Sequence, residues 1–206
     1  MSPRAPSLAA LRREAADCRR CPLYARATQT VFGEGRRGGL MLVGEQPGDV
    51  EDREGRPFVG PAGRLLRELL VEAGVADEPL YVTNAVKHFK WRPSGKRRIH
   101  DKPSWSEVKA CGHWLGLELA SARPALVVCL GATAAQALFG REARVGRLRG
   151  KRLELEGGQP ALVTMHPSAI LRADADREVR RRELVRDLEL ARELLRDARV
   201  AGKTAA

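Results

Sequence analysis

No stretch of this chain approaches the roughly 20 consecutive apolar residues that a helix needs to cross a bilayer. The opening residues, MSPRAPSLAALRREAADC, carry charge too early to read as a secretory leader, so a cytoplasmic protein is expected. Cysteine is sparse, with four residues, and in a reducing compartment these should be free thiols unless something binds them. No internal repeat is visible. Lysine is scarce as well: seven of the 37 basic residues are lysine and the rest are arginine. Arginine grips phosphate in a planar fork, so the bias fits phosphate contacts, although a GC-rich genome accounts for it equally well. Acidic residues number 26, which leaves a formal charge of +11. That imbalance points to a polyanionic partner, nucleic acid first, with a basic but inert surface as the alternative.

A length of 206 residues supports one sizeable core and is short for two, so a single domain over 1–206 is expected. Ser7–Asp17 reads as a short helix. Leu40–Val43 reads as a buried strand, followed by the polar loop GEQPGDVEDREGRPFVGPAG. Pro61 suits a helix start, and Leu65, Leu66, Leu69, Leu70 and Ala73 continue it to Gly74. Leu80–Asn84, Ala125–Leu130 and Ala161–Met165 supply three more strands. Ser104 with Glu107 forms a capping box for a helix, and 174–200 is a long charged helix, with the last few residues disordered. Alternating strands and helices predict an α/β fold: a three-layer αβα sandwich around a four-stranded, mainly parallel sheet. Such sheets bind ligands beyond the carboxyl ends of their strands. The glycine-rich loop, Asn84 with the segment after it, Gly131 and Met165-His-Pro-Ser168 all emerge there.

Cys18 and Cys21 flank a turn and can present two thiolates to one metal. Cys129, in VVCLG, taken singly reads as a small core residue. With one pair present, Cys111 and Cys129 become completing ligands, and all four are used. Four thiolates suit zinc or a four-iron, four-sulfur cluster. Two ligands that stand alone, in place of a second CxxC pair, favour the cluster, with a structural role.

GEQPGDVED, the cysteine order C-x-x-C…C…C and HPSAILR together resemble the iron–sulfur uracil-DNA glycosylases of family four. Lys96–His100, KRRIH, is similar to the loop that marks the UdgX subgroup, whose members become covalently attached to uracil-containing DNA. The resemblance spans nearly the whole chain. It implies a [4Fe-4S] cluster held by Cys18, Cys21, Cys111 and Cys129. It also implies a flipped uracil nucleotide in the glycine-rich loop. Phe58, on a rigid exposed turn, would stack on the base. Asn84 would read O4 and N3–H, Gln46 would line the same pocket, and His166 would donate to O2 of the leaving base. Glu45 would face the sugar, with Asp49 assisting, while Asp52 could equally be a solvated surface charge.

In an ordinary glycosylase water attacks C1′. Here a neutral His100 offers a nitrogen nucleophile, and its attack would leave the protein joined to DNA after one turnover. Otherwise His100 merely belongs to a basic loop. KHFKWRPSGKRRIHDK interleaves basic and aromatic residues, as single-strand binding surfaces do. Lys87, Lys90, Arg92, Lys96, Arg97 and Arg98 are expected on phosphate and Ser168 on the DNA side. The partner is then uracil-containing DNA, single-stranded by preference, engaged by a monomer. His88 and His113 receive no role. Three other readings remain: a water-using glycosylase, an iron–sulfur protein that binds uracil without cutting, and a zinc hydrolase.

Overall fold

The structure is a computed structural model that describes residues 6–204, without the side chains of 199 and 201–204. Helix α1 (Leu8–Ala15) begins where Ser7 accepts the Ala10 N–H, and a single 3-10 turn (Pro22–Ala25) follows Cys21. The chain continues through β1 (Glu34–Gly35), β2 (Leu40–Gly44), α2 (Asp49–Glu54), α3 (Pro61–Glu72) and β3 (Leu80–Asn84). A hairpin of β4 (Trp91–Ser94) and β5 (Arg97–His100) comes next, then α4 (Trp105–Ala122) and β6 (Leu126–Leu130). Helices α5 (Ala132–Phe139) and α6 (Val145–Leu148) precede β7 (Leu153–Glu154) and β8 (Pro160–Thr164). The last elements are α7 (Ser168–Leu171) and α8 (Arg177–Thr204).

The main sheet has the order β1-β3-β2-β6-β8-β7. Its four central strands are parallel, as the sequence predicts, and two-residue antiparallel strands edge it on both sides, making six. The central strands are apolar throughout because both faces are covered. Leu40, Leu42, Leu126, Val128 and Leu162 meet Leu66, Leu69, Leu184, Leu188 and Leu195 of α3 and α8. The alternate residues Met41, Val43, Val127, Cys129, Ala161 and Val163 meet Leu115 of α4 and Ala134 and Ala135 of α5. Each leucine so buried contributes about 1.5–3 kcal/mol. A third apolar cluster lies at one corner and joins Leu11, Leu23, Phe32, Val108 and Trp114 with three of the cysteines.

The predicted capping box forms: Ser104 Oγ accepts the Glu107 N–H at 3.3 Å and Glu107 Oε2 accepts the Ser104 N–H at 2.6 Å. The segment after Asn84 is not featureless, because residues 91–100 pair as a hairpin. Its two-residue tip turns at Gly95, where φ is +57°. Pro93 and the run of basic residues hide the alternation that would reveal these strands. Helix α8 runs to Thr204, past the expected end at Val200. Of the last few residues, expected to be disordered, 201–204 continue α8, and 205–206 lie outside the described residues.

Candidate active site

Strand β2 has β3 on one side and β6 on the other, so the order reverses between β2 and β6. A crevice opens at the carboxyl ends of such strands. Glu45 follows β2 there, Asn84 ends β3 in register with Gly44, Gly131 follows β6, and His166 lies two residues past β8.

Gly44 forms the floor. A Cβ there would stand 2.4 Å from Asn84 Oδ1 and 2.7 Å from the Phe58 ring, so any other residue would fill the space that the amide and the ring face. Asn84 is buried. Phe58 is buried too, not displayed on an exposed turn, and it adopts a left-handed φ of +56°. That conformation is rare for an aromatic residue. Two contacts impose it. Arg67 donates to the Phe58 carbonyl at 2.9 Å, and Gly63 has no Cβ, which would otherwise stand 1.8 Å from that oxygen. Glu51, which the sequence reading missed, closes the loop by accepting the Gly48 and Gly60 N–H groups at 3.1 and 2.8 Å. The Phe58 and His166 rings lie 6.2 Å apart at 29° and wall one side of the crevice.

His166 Nδ1 accepts the Ser168 N–H at 3.1 Å and contacts Ser168 Oγ at 2.8 Å. Its proton is therefore on Nε2. Burial pushes its pKa down to about 4, against the pull of Glu45 and with the help of Arg172 and His100. His166 is thus a neutral donor near pH 7. Ser168 fixes this tautomer.

Glu45 Oε1 accepts His100 Nε2–H at 3.1 Å, and Glu45 Oε2 accepts the Thr133 hydroxyl. Burial pushes this carboxyl up, but bonds from His100 and Thr133, and the attraction of the His100 and His166 rings whenever they are protonated, outweigh it and hold the pKa below the ordinary value. Glu45 stays ionised. Thr133 also escaped the sequence reading; its one signal is a hydroxyl in the otherwise apolar start of α5. His100 ends β5, half-exposed at the crevice, 6.3 Å from the Phe89 ring.

The hairpin is held to the crevice by side chains expected elsewhere. The Gln46 amide donates to the Lys90 and Asp101 carbonyls at 3.1 and 3.0 Å and accepts the Lys90 N–H at 3.0 Å. It ties the hairpin ends to the loop and is not free to read a base. Arg98 pairs with Asp49 and, at 2.6 Å, with Asp52, while its guanidinium lies 5.4 Å over Phe89. It acts as a staple and not as an open phosphate contact. Asp49 is taken up by Arg98 and Arg53. Asp52 is fully buried and also accepts the Thr28 N–H and hydroxyl, so it is not a solvated charge. Lys90 is bound to Glu107 at 3.0 Å.

Lys87 requires a correction. It is fully buried, and its Nζ donates to Glu118 Oε2 at 2.5 Å, to the Asn84 carbonyl at 2.6 Å and to Thr83 Oγ1 at 2.7 Å. It supports Asn84 from below and cannot reach phosphate. Arg92, Lys96 and Arg97 remain exposed on the hairpin, without a carboxylate partner among the described residues.

At the corner of the third cluster, the structure gathers Cys18, Cys21 and Cys111, all buried. Trp114 Nε1–H donates to Cys18 Sγ at 3.1 Å and the Lys87 N–H donates to Cys111 Sγ at 3.2 Å. Burial pushes Cys111 up to about 11; Lys87 opposes this, while Cys21 and Cys18 add to it. Cys129 is not with them. It packs on the sheet face under α4 and α5, where burial alone pushes it up to about 12. His88, between Lys87 and Phe89, lies buried beside Cys18. Among the described residues no three His, Cys, Asp or Glu side chains stand close enough to hold one metal ion.

Residues 32–189 match the model of the uracil DNA glycosylase superfamily. The chain is 39% identical over 181 residues to a type-4 uracil-DNA glycosylase of Thermotoga maritima, covering 87% of this chain and 90% of that one. It is 38% identical over 167 residues to a type-4 uracil-DNA glycosylase of Archaeoglobus fulgidus, covering 77% and 80%. A type-5 uracil-DNA glycosylase of Thermus thermophilus is 32% identical over 148 residues, covering 63% and 64%. A polar crevice at the switch point of a parallel sheet, with a carboxylate, a neutral histidine donor, an amide and an aromatic wall, is thus carried by a chain that belongs to the uracil DNA glycosylase superfamily.

Proposed function

We propose that this protein excises uracil from DNA, single strands by preference, and then becomes joined to the sugar through His100. The observation that carries the second half is the contact of His100 Nε2 with Glu45 Oε1 at 3.1 Å, on a half-exposed imidazole at the mouth of the crevice.

The uracil nucleotide turns out of any stack, at a cost of about a few kcal/mol that is least in single strands. Its ring lies on Phe58 and its edge meets the Asn84 amide. When the C1′–N1 bond breaks, the electron pair leaves with the base. His166 Nε2–H hydrogen-bonds O2 as negative charge gathers there; a preformed donor of this kind contributes about 10²–10³ in rate. Ionised Glu45 faces the positive charge on the sugar. Glu45 also holds one ring N–H of His100, which leaves the other ring nitrogen with a lone pair. That nitrogen bonds to C1′. The alkylated imidazolium keeps its remaining N–H against Glu45, and the uracil anion takes a proton from solvent. Exposed Arg92, Lys96 and Arg97 follow the phosphates, and the protein acts as a monomer.

The chain's likeness to type-4 enzymes also supports a [4Fe-4S] cluster. Cys18, Cys21 and Cys111 fit it, since two of the sulfurs already accept N–H donors of the kind that stabilise cluster ligands. Cluster ligands sit on different irons and need not converge as they do around a single ion, which favours the cluster over zinc. The cluster would supply a structural tie between the turn after α1 and the start of α4.

A second reading has water attack C1′. The matched relatives are named as glycosylases, and Glu45 is placed to orient water as well. To decide, the protein is mixed with an excess of single-stranded oligonucleotide bearing one uracil, boiled in detergent and run on a denaturing gel. The proposal expects one band at the summed mass and no more uracil released than protein present. Uracil in excess of protein, with no shifted band, would establish the second reading; binding with intact DNA would overturn both.

A further inference from the structure

The corner that gathers three cysteines also holds a buried nitrogen that is left over. His88 is 3% exposed, and its Nδ1 is buried with no hydrogen-bond partner among the described residues. An orphaned nitrogen in such a place is unusual, because leaving it unpaired costs about 1–3 kcal/mol. The other nitrogen shows which one carries the proton. Nε2 lies 2.9 Å from Thr30 Oγ1, and that hydroxyl donates its own hydrogen to the Ala16 carbonyl at 3.3 Å. Thr30 must therefore accept from His88 Nε2–H. The proton is on Nε2, and Nδ1 holds a free lone pair aimed away from Thr30.

This is how metal-ligating histidines are held: one nitrogen donates to a fixed acceptor and the other faces the metal. The surroundings agree. His88 and Cys18 line one small cavity between the end of α1 and the 3-10 turn. The residue before His88 puts its N–H on Cys111 Sγ, so the backbone that carries the imidazole is already docked on one ligand. Cys129 has no such placement. Sheet alternation places it in the apolar cluster of Leu115 and Ala134, apart from the cluster that holds the other three thiols.

The geometry points to His88 Nδ1 as the fourth ligand of the cluster, beside Cys18, Cys21 and Cys111, with Thr30 as the residue that positions it and Cys129 as ordinary core. This assignment rests on the cluster reading above. It makes the site one negative charge poorer than a four-cysteine site, which raises its reduction potential.

The test uses the whole protein purified without air, and reads iron and spectra instead of activity. Wild type should hold about four irons per chain. Pulsed electron paramagnetic resonance of its reduced form should show a nitrogen coupling that changes when ¹⁵N-histidine is supplied. Cys129→Ala should keep the iron and the coupling. His88→Cys should keep the iron, lose the coupling and move to lower potential. Thr30→Ala should release iron to a chelator about tenfold faster. Iron lost from a folded Cys129→Ala protein, or a wild-type cluster with no nitrogen coupling, would overturn the assignment and leave the cluster reading intact. A wild-type protein with zinc or no metal, before and after reconstitution with iron and sulfide, would overturn the cluster reading and this assignment with it.

Discussion

The pocket at the strand ends and the hairpin beside it are built on different principles. Pocket residues are fixed by the sheet. Asn84 is a strand residue, Glu45 and His166 sit one and two residues past their strands, and Phe58 is forced into place by Gly63 and Arg67. The hairpin shares no ladder with the main sheet. It hangs from Gln46, from the pairs of Arg98 with Asp49 and Asp52, and from Trp91 Nε1–H on the Arg26 carbonyl at 2.9 Å. The chemistry divides the same way. In the proposed reaction, recognition of the base and support of its departure would belong to the sheet, while the group that would trap the sugar belongs to the hairpin. Base excision and covalent capture should therefore be separable by mutation.

The largest expected effect separates them outright. His100→Gly removes the nucleophile and should lower adduct formation by at least about 1000-fold. Uracil release should stay within about tenfold, as water enters the vacated space; a gel read beside chromatography of free uracil checks both. Adduct formation that survives would place the nucleophile elsewhere. On the sheet side, His166→Asn should reduce uracil release by about 10²–10³ in single-turnover assays, whether or not His100 is present.

His166 also sets a pH dependence of stability. Its folded pKa, about 4, lies below the roughly 6.5 of an unfolded histidine, so the unfolded chain takes up the proton first. Unfolding free energy should therefore fall as pH drops from about 6.5, by up to about 3 kcal/mol, and this contribution should level off below pH 4. Denaturant melts of wild type and His166→Asn between pH 7 and pH 4 should differ by that slope. Parallel curves would mean that the imidazole is not held neutral.

A smaller effect tests the staple. Arg98→Ala should slow cross-linking about tenfold, by loosening His100, and leave uracil release in the His100→Gly background unchanged. Equal loss of both would show that the hairpin also shapes the pocket. The smallest effect lies at the hairpin tip. Lys96→Ala or Arg97→Ala should each flatten the dependence of log affinity on log salt by about 0.7 for single strands. No change in slope would remove that residue from the phosphate path.

The same division decides what could be read from sequence. Apolar runs announce the four central strands, and Glu45, Asn84 and His166 are placed by following those strands to their ends, whereas Phe58, and the part each would play with a base, are singled out by the family resemblance. The hairpin is obscured, because its strands are basic and contain Pro93. Ion pairing is obscured further. Sequence cannot show that Glu118, on a helix 31 residues later, buries Lys87, or that Asp49 and Asp52 take up Arg98. Nor does composition tell which cysteines gather at one corner and which enters the sheet core. Cys129 looks like a fourth ligand by count, and only the alternation of its strand turns it toward Leu115 and away from the other three thiols.

The most direct test of the account is to digest the cross-linked product with protease and nuclease and locate the residual deoxyribose by tandem mass spectrometry. The account predicts that mass on His100, with uracil absent and one adduct per chain. A sugar on any other side chain, or a peptide map identical to that of unreacted protein, would contradict it.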